Sequence, residues 1–225
     1  MKLVHAPQSP FARKVRAAAI ELGLGDRLQL QYAEVVPGKE NASFAASINP
    51  LRKIPALILD DGQTVVVDST VICEFLDALA GGGILIPKSG QDRWRVLSQH
   101  AIAQGMCDAV ILIRYETWLR PDALRWPGWV NDQWDKIWTG LEWFERRADQ
   151  TLRESSKPVD LSQLTLACCL GYVDFRHPEA NWPSRFPKTA TWYTRMLLRP
   201  SMADTKPENP PPANKLIAPK ATHAR

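Results

Sequence analysis

Apolar residues change spacing several times within the first 80 positions. Leu3 to Ala6 is a short apolar run closed by Pro7 and Pro10, the pattern of a strand and its exit turn. Between Pro10 and Leu24, Phe11, Val15, Ala18, Ala19 and Leu22 recur at helical spacing. Pro10 suits the first turn of that helix, and Gly23 or Gly25 its stop. Leu28, Leu30 and Tyr32 alternate with Gln29 and Gln31, which predicts a second strand and completes a βαβ unit. Lys39 to Ile48 is weakly patterned and reads as a short irregular helix. Asn49-Pro50 and Ile54-Pro55 then bracket an extended stretch, because a residue before proline is pushed out of the helical region. Ala56 to Leu59 and Thr64 to Val67 flank Asp60-Asp61-Gly62 as an antiparallel hairpin. Asp68-Ser69 caps a helix carrying Val71, Ile72, Phe75, Leu76 and Leu79, which stops at Gly81-Gly82-Gly83.

This order, β-α-β-α-β-β-α, is that of a thioredoxin-like domain. The pattern then turns helical throughout. Trp94, Leu97, Ile102, Met106, Val110 and Ile113 fit one long helix that breaks near Pro121, and Trp134, Ile137, Trp138, Leu141 and Phe144 fit another. Leu164 to Phe175 is apolar on most sides, as expected of the central helix of a bundle, and Thr189 to Leu198 makes a last short helix. The expected organisation is an α/β thioredoxin-like domain over residues 1–80, a linker over 81–90, an all-α helical bundle over 91–202 and a flexible tail over 203–225. The tail has no periodicity and contains three consecutive prolines. All nine tryptophans follow residue 90, which suggests two units with different cores.

Composition narrows the class. With 225 residues, 45% of them hydrophobic, the chain has ample material for a core, and it reads as neither disordered, collagen-like nor disulfide-stapled. The 28 basic and 24 acidic residues are interleaved rather than striped, so no nucleic-acid partner is expected. From Ala203 onward four basic residues face two acidic ones, which leaves the rest of the chain nearly neutral. The longest charge-free stretch, Leu161 to Val173, is short against the roughly 20 residues of a membrane span. The N-terminus has no secretory pattern, so a cytoplasmic location without membrane attachment is expected. Cys73, Cys107, Cys168 and Cys169 show neither CxxC nor Cys/His ligand spacing, which predicts buried core thiols and no metal.

Three segments carry candidate chemistry. Ser9 and Pro10 stand where the first strand meets the first helix. A helix N-terminus offers free N–H groups and partial positive charge, so a hydroxyl there can stabilise a thiolate, although a serine there can also simply cap the helix. Pro55, after the β-branched Ile54 and before a strand, is a candidate cis-proline that would turn the Ile54 backbone toward an extended ligand; an ordinary trans proline at a strand start is the plainer reading. Asp68-Ser69 caps a helix, and the same groups can take the carboxylate and ammonium of a zwitterion.

In their order and spacing, SPFARKVR, NPLRKIPAL and DSTVICEFLD resemble the N-terminal domain of the glutathione S-transferase family. DAVILIRYETWLRP and LACCLGYVDFR are similar to stretches of its helical domain, so the resemblance covers nearly the whole chain. It implies that glutathione is the co-substrate, with no metal, and that the chain detoxifies small electrophiles as a homodimer. By the same resemblance Ser9 falls at the thiol-activating position. Phe11, Lys53, Ile54, Pro55, Asp68 and Ser69 fall in the glutathione site, while Gln8, Pro10, Asp108, Arg114, Tyr115 and Trp118 line the electrophile pocket. One departure is expected to weaken the central helix: the family's reciprocal cap pairs Ser or Thr with Asp three residues on, whereas Ser162 here is followed by Thr165. The alternative within the family is a non-catalytic binding module resembling the stringent starvation protein, which associates with RNA polymerase. Glutaredoxin-like thiol–disulfide exchange needs a cysteine near residue 9, and none is present.

Overall fold

The computed structural model describes residues 1–152 and 158–210. Strand β1 (Lys2–His5) sits inside a four-stranded sheet of order β2-β1-β3-β4, with β2 at Gln29–Tyr32, β3 at Ala56–Ile58 and β4 at Val65–Val66. Helix α1 (Pro10–Glu21) is the crossover that makes β1 and β2 parallel, whereas β3 runs antiparallel to both β1 and β4. Register sorts the two faces. Leu3 pairs with Leu57, and both enter a core with Val15 of α1 and Ile72 of α3 (Ser69–Leu79); Val4 pairs with Ala56, and both meet Phe44 of α2 (Ala42–Ser47). The alternation in β2 does not bury Leu30, which stays 45% exposed because β2 is an edge strand.

The second half is helical: α4 (Gly90–Trp118), α5 (Pro127–Arg146), α6 (Ala148–Thr151), α7 (Leu161–Arg176), α8 (Pro187–Met196) and α9 (Pro200–Ala203). Every residue of α7 from 161 to 173 is buried, as its all-round apolar pattern predicts. Over an 18-residue window α4 has the length and apolarity of a membrane span, and half of that window is buried inside the fold. The reciprocal cap expected to be weak is intact two residues upstream. Asp160 accepts from the Gln163 N–H at 3.1 Å, and the Gln163 side chain accepts from the Asp160 N–H at 3.3 Å. Ser162 instead donates to Asp160 at 2.5 Å.

Two separate cores are not what the chain builds. The main hydrophobic cluster runs without a break from Leu3, Val15 and Ile72 to Leu164, Phe144 and Trp192. Three consecutive alanines, Ala17 to Ala19, are fully buried because α1 packs against α3 on one side and α7 on the other. Uneven tryptophan placement therefore marks the helical half without marking its own core. Trp182 and Trp192 are buried, whereas Trp94 and Trp126 are about two-thirds exposed.

The segment expected to be a linker is held in place. Asp77, itself buried, accepts from the backbone N–H groups of Gly83, Ile84, Leu85 and Ile86 at 2.9–3.3 Å, and the Leu85 carbonyl accepts from Leu161 N–H at 3.0 Å. Gly81, Gly82 and Gly83 all take positive φ, which lets the chain double back over that carboxylate. The predicted tail also starts too early. Thr205 is buried, and Arg13 of α1 donates to the Met202 carbonyl at 3.1 Å and to Thr205 Oγ1 at 3.4 Å. The rest of that prediction, over 211–225, lies outside the described residues.

Candidate glutathione site

Strand register brings the three sequence motifs to one end of the sheet. Val4 pairs with Ala56 and Leu57 with Val66, so continuing each ladder by one or two residues sets Pro55 beside His5 and Asp68 beside Pro55. The loop from β1 to α1 rises at the same end, fixed by the Ser9 N–H donating to the Ala6 carbonyl at 3.1 Å. The Ile54–Pro55 bond is cis, as its sequence context suggested, and Val67–Asp68 is a second cis bond that no sequence signal indicated.

Ser9 is the N-cap of α1, and its Oγ accepts from the Ala12 N–H at 3.2 Å. Capping and thiol activation are therefore compatible rather than competing. The cap uses an oxygen lone pair, and the hydroxyl hydrogen is left to donate to a ligand at the positive end of the helix. Asp68 likewise caps α3, accepting from Thr70 N–H at 2.9 Å and Val71 N–H at 3.3 Å, with Ser69 buried beside it. Beside Ser9, the Gln8 Oε1 is buried and has no hydrogen-bond partner among the described residues.

The loop carrying Lys53 and Ile54 is organised by a residue that the motif contained but to which no role was given. Asn49 is buried; its Nδ2 donates to the Lys53 carbonyl at 2.9 Å, its Oδ1 accepts from Leu51 N–H at 3.0 Å, and its carbonyl accepts from Arg52 N–H at 2.8 Å. Asparagine before proline is a turn signal, so this role was open to sequence reasoning. Lys53 itself is exposed.

Behind the site, α1, α3, α4 and α7 meet through a buried polar chain. Lys14, 1% exposed, donates to Gln104 Oε1 at 2.9 Å and to Thr70 Oγ1 at 3.4 Å. Thr70 Oγ1 lies 3.1 Å from His100 Nε2, and His100 Nδ1 lies 2.9 Å from Thr165 Oγ1, which donates to the Leu161 carbonyl at 2.7 Å. These contacts fix the direction of the chain. Thr165 has used its hydrogen, so His100 Nδ1–H donates to it, and Nε2 accepts from Thr70. A neutral imidazole suits this arrangement, and burial together with the Lys14 charge lowers the His100 pKa to about 3.

Of the predicted electrophile-pocket residues, α4 places Asp108 toward the site. Partial burial raises its carboxyl pKa against the pull of Lys53 and Lys14, with Asp68 adding to the rise. Gln8, Pro10 and Phe11 flank Ser9 in sequence, and Tyr115 follows Asp108 by two helical turns, half-buried with its pKa raised by burial. Arg114 and Trp118 are placed differently. The Arg114 guanidinium stacks 4.6 Å from the Trp118 ring centroid, and its charged and phenolic neighbours are Arg176 and Tyr172 of α7. Trp118 is half exposed at the far end of α4, about 15 Å along the axis from Asp108. Among the described residues no group of His, Cys, Asp and Glu has the geometry to hold a metal ion, and all four cysteines are buried.

Residues 3–83 match the family model of the glutathione S-transferase N-terminal domain, and residues 127–195 that of its C-terminal domain. A glutathione transferase family member from Pseudomonas fluorescens Pf-5, solved with bound glutathione, is 41% identical with a TM-score of 0.86, covering 92% of this chain and 99% of that one. The chain belongs to the glutathione S-transferase family. A glutathione S-transferase from Methylobacillus flagellatus, solved with glutathione bound, is 31% identical with a TM-score of 0.79, covering 92% of this chain and 99% of that one. The uncharacterized GST-like protein YibF of Escherichia coli K12 is 28% identical over 209 residues, 92% of this chain and 98% of its own length. The family architecture, a thioredoxin-like domain followed by an all-helical one, is the architecture described above.

Proposed function

We propose that this protein is a glutathione transferase that activates the glutathione thiol at Ser9 for attack on a small electrophile. The observation that carries this reading is the convergence of the Ser9 cap, the cis Pro55 and the α3 N-terminus at one sheet end. Relatives solved with glutathione bound support it. Residues 1–80 form the glutathione-binding unit and 91–202 the electrophile-binding unit. The Ile54 backbone pairs with the tripeptide, Lys53 takes a carboxylate, and Ser69 with the α3 N-terminus holds the γ-glutamyl carboxylate while Asp68 takes its ammonium. Phe11 packs beneath the ligand.

The thiol loses its proton to solvent as the Ser9 O–H and the α1 N-terminus stabilise the thiolate. The sulfur lone pair then forms the new C–S bond, and the electrophile's leaving group departs with the displaced electron pair. Rate comes chiefly from proximity and a pre-formed electrostatic site. Gln8, Pro10, Asp108 and Tyr115 border the electrophile, with Arg114 and Trp118 at the outer rim. The protein acts as a cytoplasmic homodimer. Exposed Val67, Val71 and Trp94, beside the exposed small residues Ala101 and Gly105 of α4, are the face available for the second copy.

The test is conjugation of a chromogenic aryl halide by wild type and Ser9→Ala. The variant is expected to lose at least tenfold in kcat/KM while losing only about 1 kcal/mol of stability from the cap. Equal rates would remove Ser9 from this role. Absence of calorimetric glutathione binding by the wild type, with recovery of a specific protein partner, would favour the binding module instead.

A further inference from the structure

Of the two buried cations on α1, Arg13 and Lys14, the second reaches no carboxylate among the described residues. Lys14 is 1% exposed, yet its ammonium is held by two neutral oxygens, Gln104 Oε1 and Thr70 Oγ1, and it forms no ion pair among the described residues. The groups facing it are Asp68 and Cys73 at α3, His100, Cys107 and Asp108 of α4, and Cys168 of α7. His100 is neutral, the thiols are buried and protonated, and the carboxylates of Asp108 and Asp68 lie on the solvent side, neither in hydrogen-bond reach of the ammonium. Such an arrangement is costly. Burying an ammonium without a carboxylate is less favourable than filling the same space with an apolar chain of equal length. The N-termini of α1 and α3, both positive, converge on the same end of the sheet and add to the unbalanced field.

We infer that Lys14 is a positioning residue whose charge is completed by the bound anion, lowering the thiol pKa of glutathione from beneath the site rather than by touching it. The inference rests on the glutathione reading above and adds a residue that reading does not use. Lys14 follows Ser9 by five residues, about 7.5 Å of backbone rise along the helix axis, and a unit charge within about 10 Å in partly buried surroundings moves a thiol pKa by about one unit. Thr70 makes the link directional. It receives the Lys14 N–H, and its backbone N–H is capped by Asp68, so the charge sits one residue behind the helix start that takes the γ-glutamyl group.

The test titrates bound glutathione by its ultraviolet thiolate absorbance, and kcat/KM against pH, in wild type, Lys14→Met and Lys14→Arg, with melting temperatures recorded alongside. Lys14→Met is expected to raise the thiol pKa by about one unit, a tenfold loss of thiolate at a pH below it, while its melting temperature holds or rises. Lys14→Arg, which keeps the charge, should stay near the wild-type thiol pKa. Lys14→Gln is the second neutral variant should Met not be accommodated, and it must move the pKa in the same direction. An unchanged thiol pKa in the neutral variants overturns the inference, whether or not stability falls. A wild type that binds no glutathione, or leaves its thiol at the free value, defeats the transferase reading and this inference together. A lowered wild-type pKa that ignores Lys14 defeats this inference alone.

Discussion

Gly171 stands in the middle of α7, where a glycine normally costs about 1 kcal/mol relative to alanine, so Gly171→Ala is nominally a stabilising change. The opposite is expected here. A Cβ at this position would lie 2.0 Å from Arg13 Nη1 and 3.0 Å from the Tyr193 hydroxyl. The guanidinium cannot simply swing aside, because it is 3% exposed and bound to the Met202 carbonyl and Thr205 Oγ1. Displacing it forfeits a charged hydrogen bond, about 1.5–3 kcal/mol, and overpacking adds about 1–3 kcal/mol. Set against the propensity gain, the net loss is about 3 kcal/mol, or roughly 6–12 °C in Tm for a chain of this size. Thermal unfolding followed by circular dichroism measures it. The stricter check is the double-mutant cycle with Arg13→Ala. Once the guanidinium is gone, Gly171→Ala should become neutral or stabilising, giving a coupling of about 3 kcal/mol. A raised Tm in the single variant, or additive effects in the cycle, would refute the steric reasoning.

Two other perturbations test the frame around the site. Asp77→Asn leaves one oxygen and an N–H₂ group facing the four backbone N–H donors of residues 83–86, and should lose about 3 kcal/mol in urea unfolding; a loss below about 1 kcal/mol would mean that the segment is held by other contacts. Acidification should weaken the fold through His100. Its pKa is about 3 when folded and near 6.5 when unfolded, so the unfolded chain binds the proton first. The stability is full above pH 6.5 and is lost as pH falls toward 3, by about 2 kcal/mol at pH 5. His5, lowered to about 4 by burial and the nearby Arg16 charge, adds a loss of the same sign and of nearly the same size at pH 5. Unfolding free energies of wild type and His100→Gln at pH 7 and pH 5 separate the contribution, and equal acid sensitivity in both would exclude His100 as its source.

Local signals were legible in the sequence where one residue type decides the backbone. Pro55 before β3, the Asp68 cap and the hairpin around Gly62 were all read in place, because proline, a capping acid and glycine act on their own neighbours. Residues whose role depends on a distant segment were misread or missed. Arg13 and Lys14 carry no local sign of burial, yet both are buried, since α7 covers the face of α1 that a two-layer domain would leave in water. Residues 81–90 read as a linker because nothing local shows that Asp77, already inside α3, gathers the N–H groups that follow. The cap of α7 was sought at Ser162 and lies at Asp160, since the motif specifies a spacing and two residues of slack fit it equally well.

The burial of Arg13 and Lys14 has a cause that bears on the chemistry. Helix α1 is the element on which the two halves of the chain converge. Its first residue follows the Ser9 cap, Lys14 reaches α3 and α4, Arg13 reaches α9 and lies against α7, and Glu21 accepts a bidentate pair from Arg199 at 2.6 and 2.8 Å together with a hydrogen bond from Ser201. A helix fixed at three successive levels cannot rotate or slide without breaking buried or half-buried charged contacts. The Ser9 hydroxyl, whose direction is set by the first turn of that helix, is therefore held relative to both the loops proposed to bind glutathione and the helical wall proposed to border the electrophile. Burying two cations and half-burying an ion pair is a poor route to stability. It is well suited to holding one hydroxyl in register with two domains.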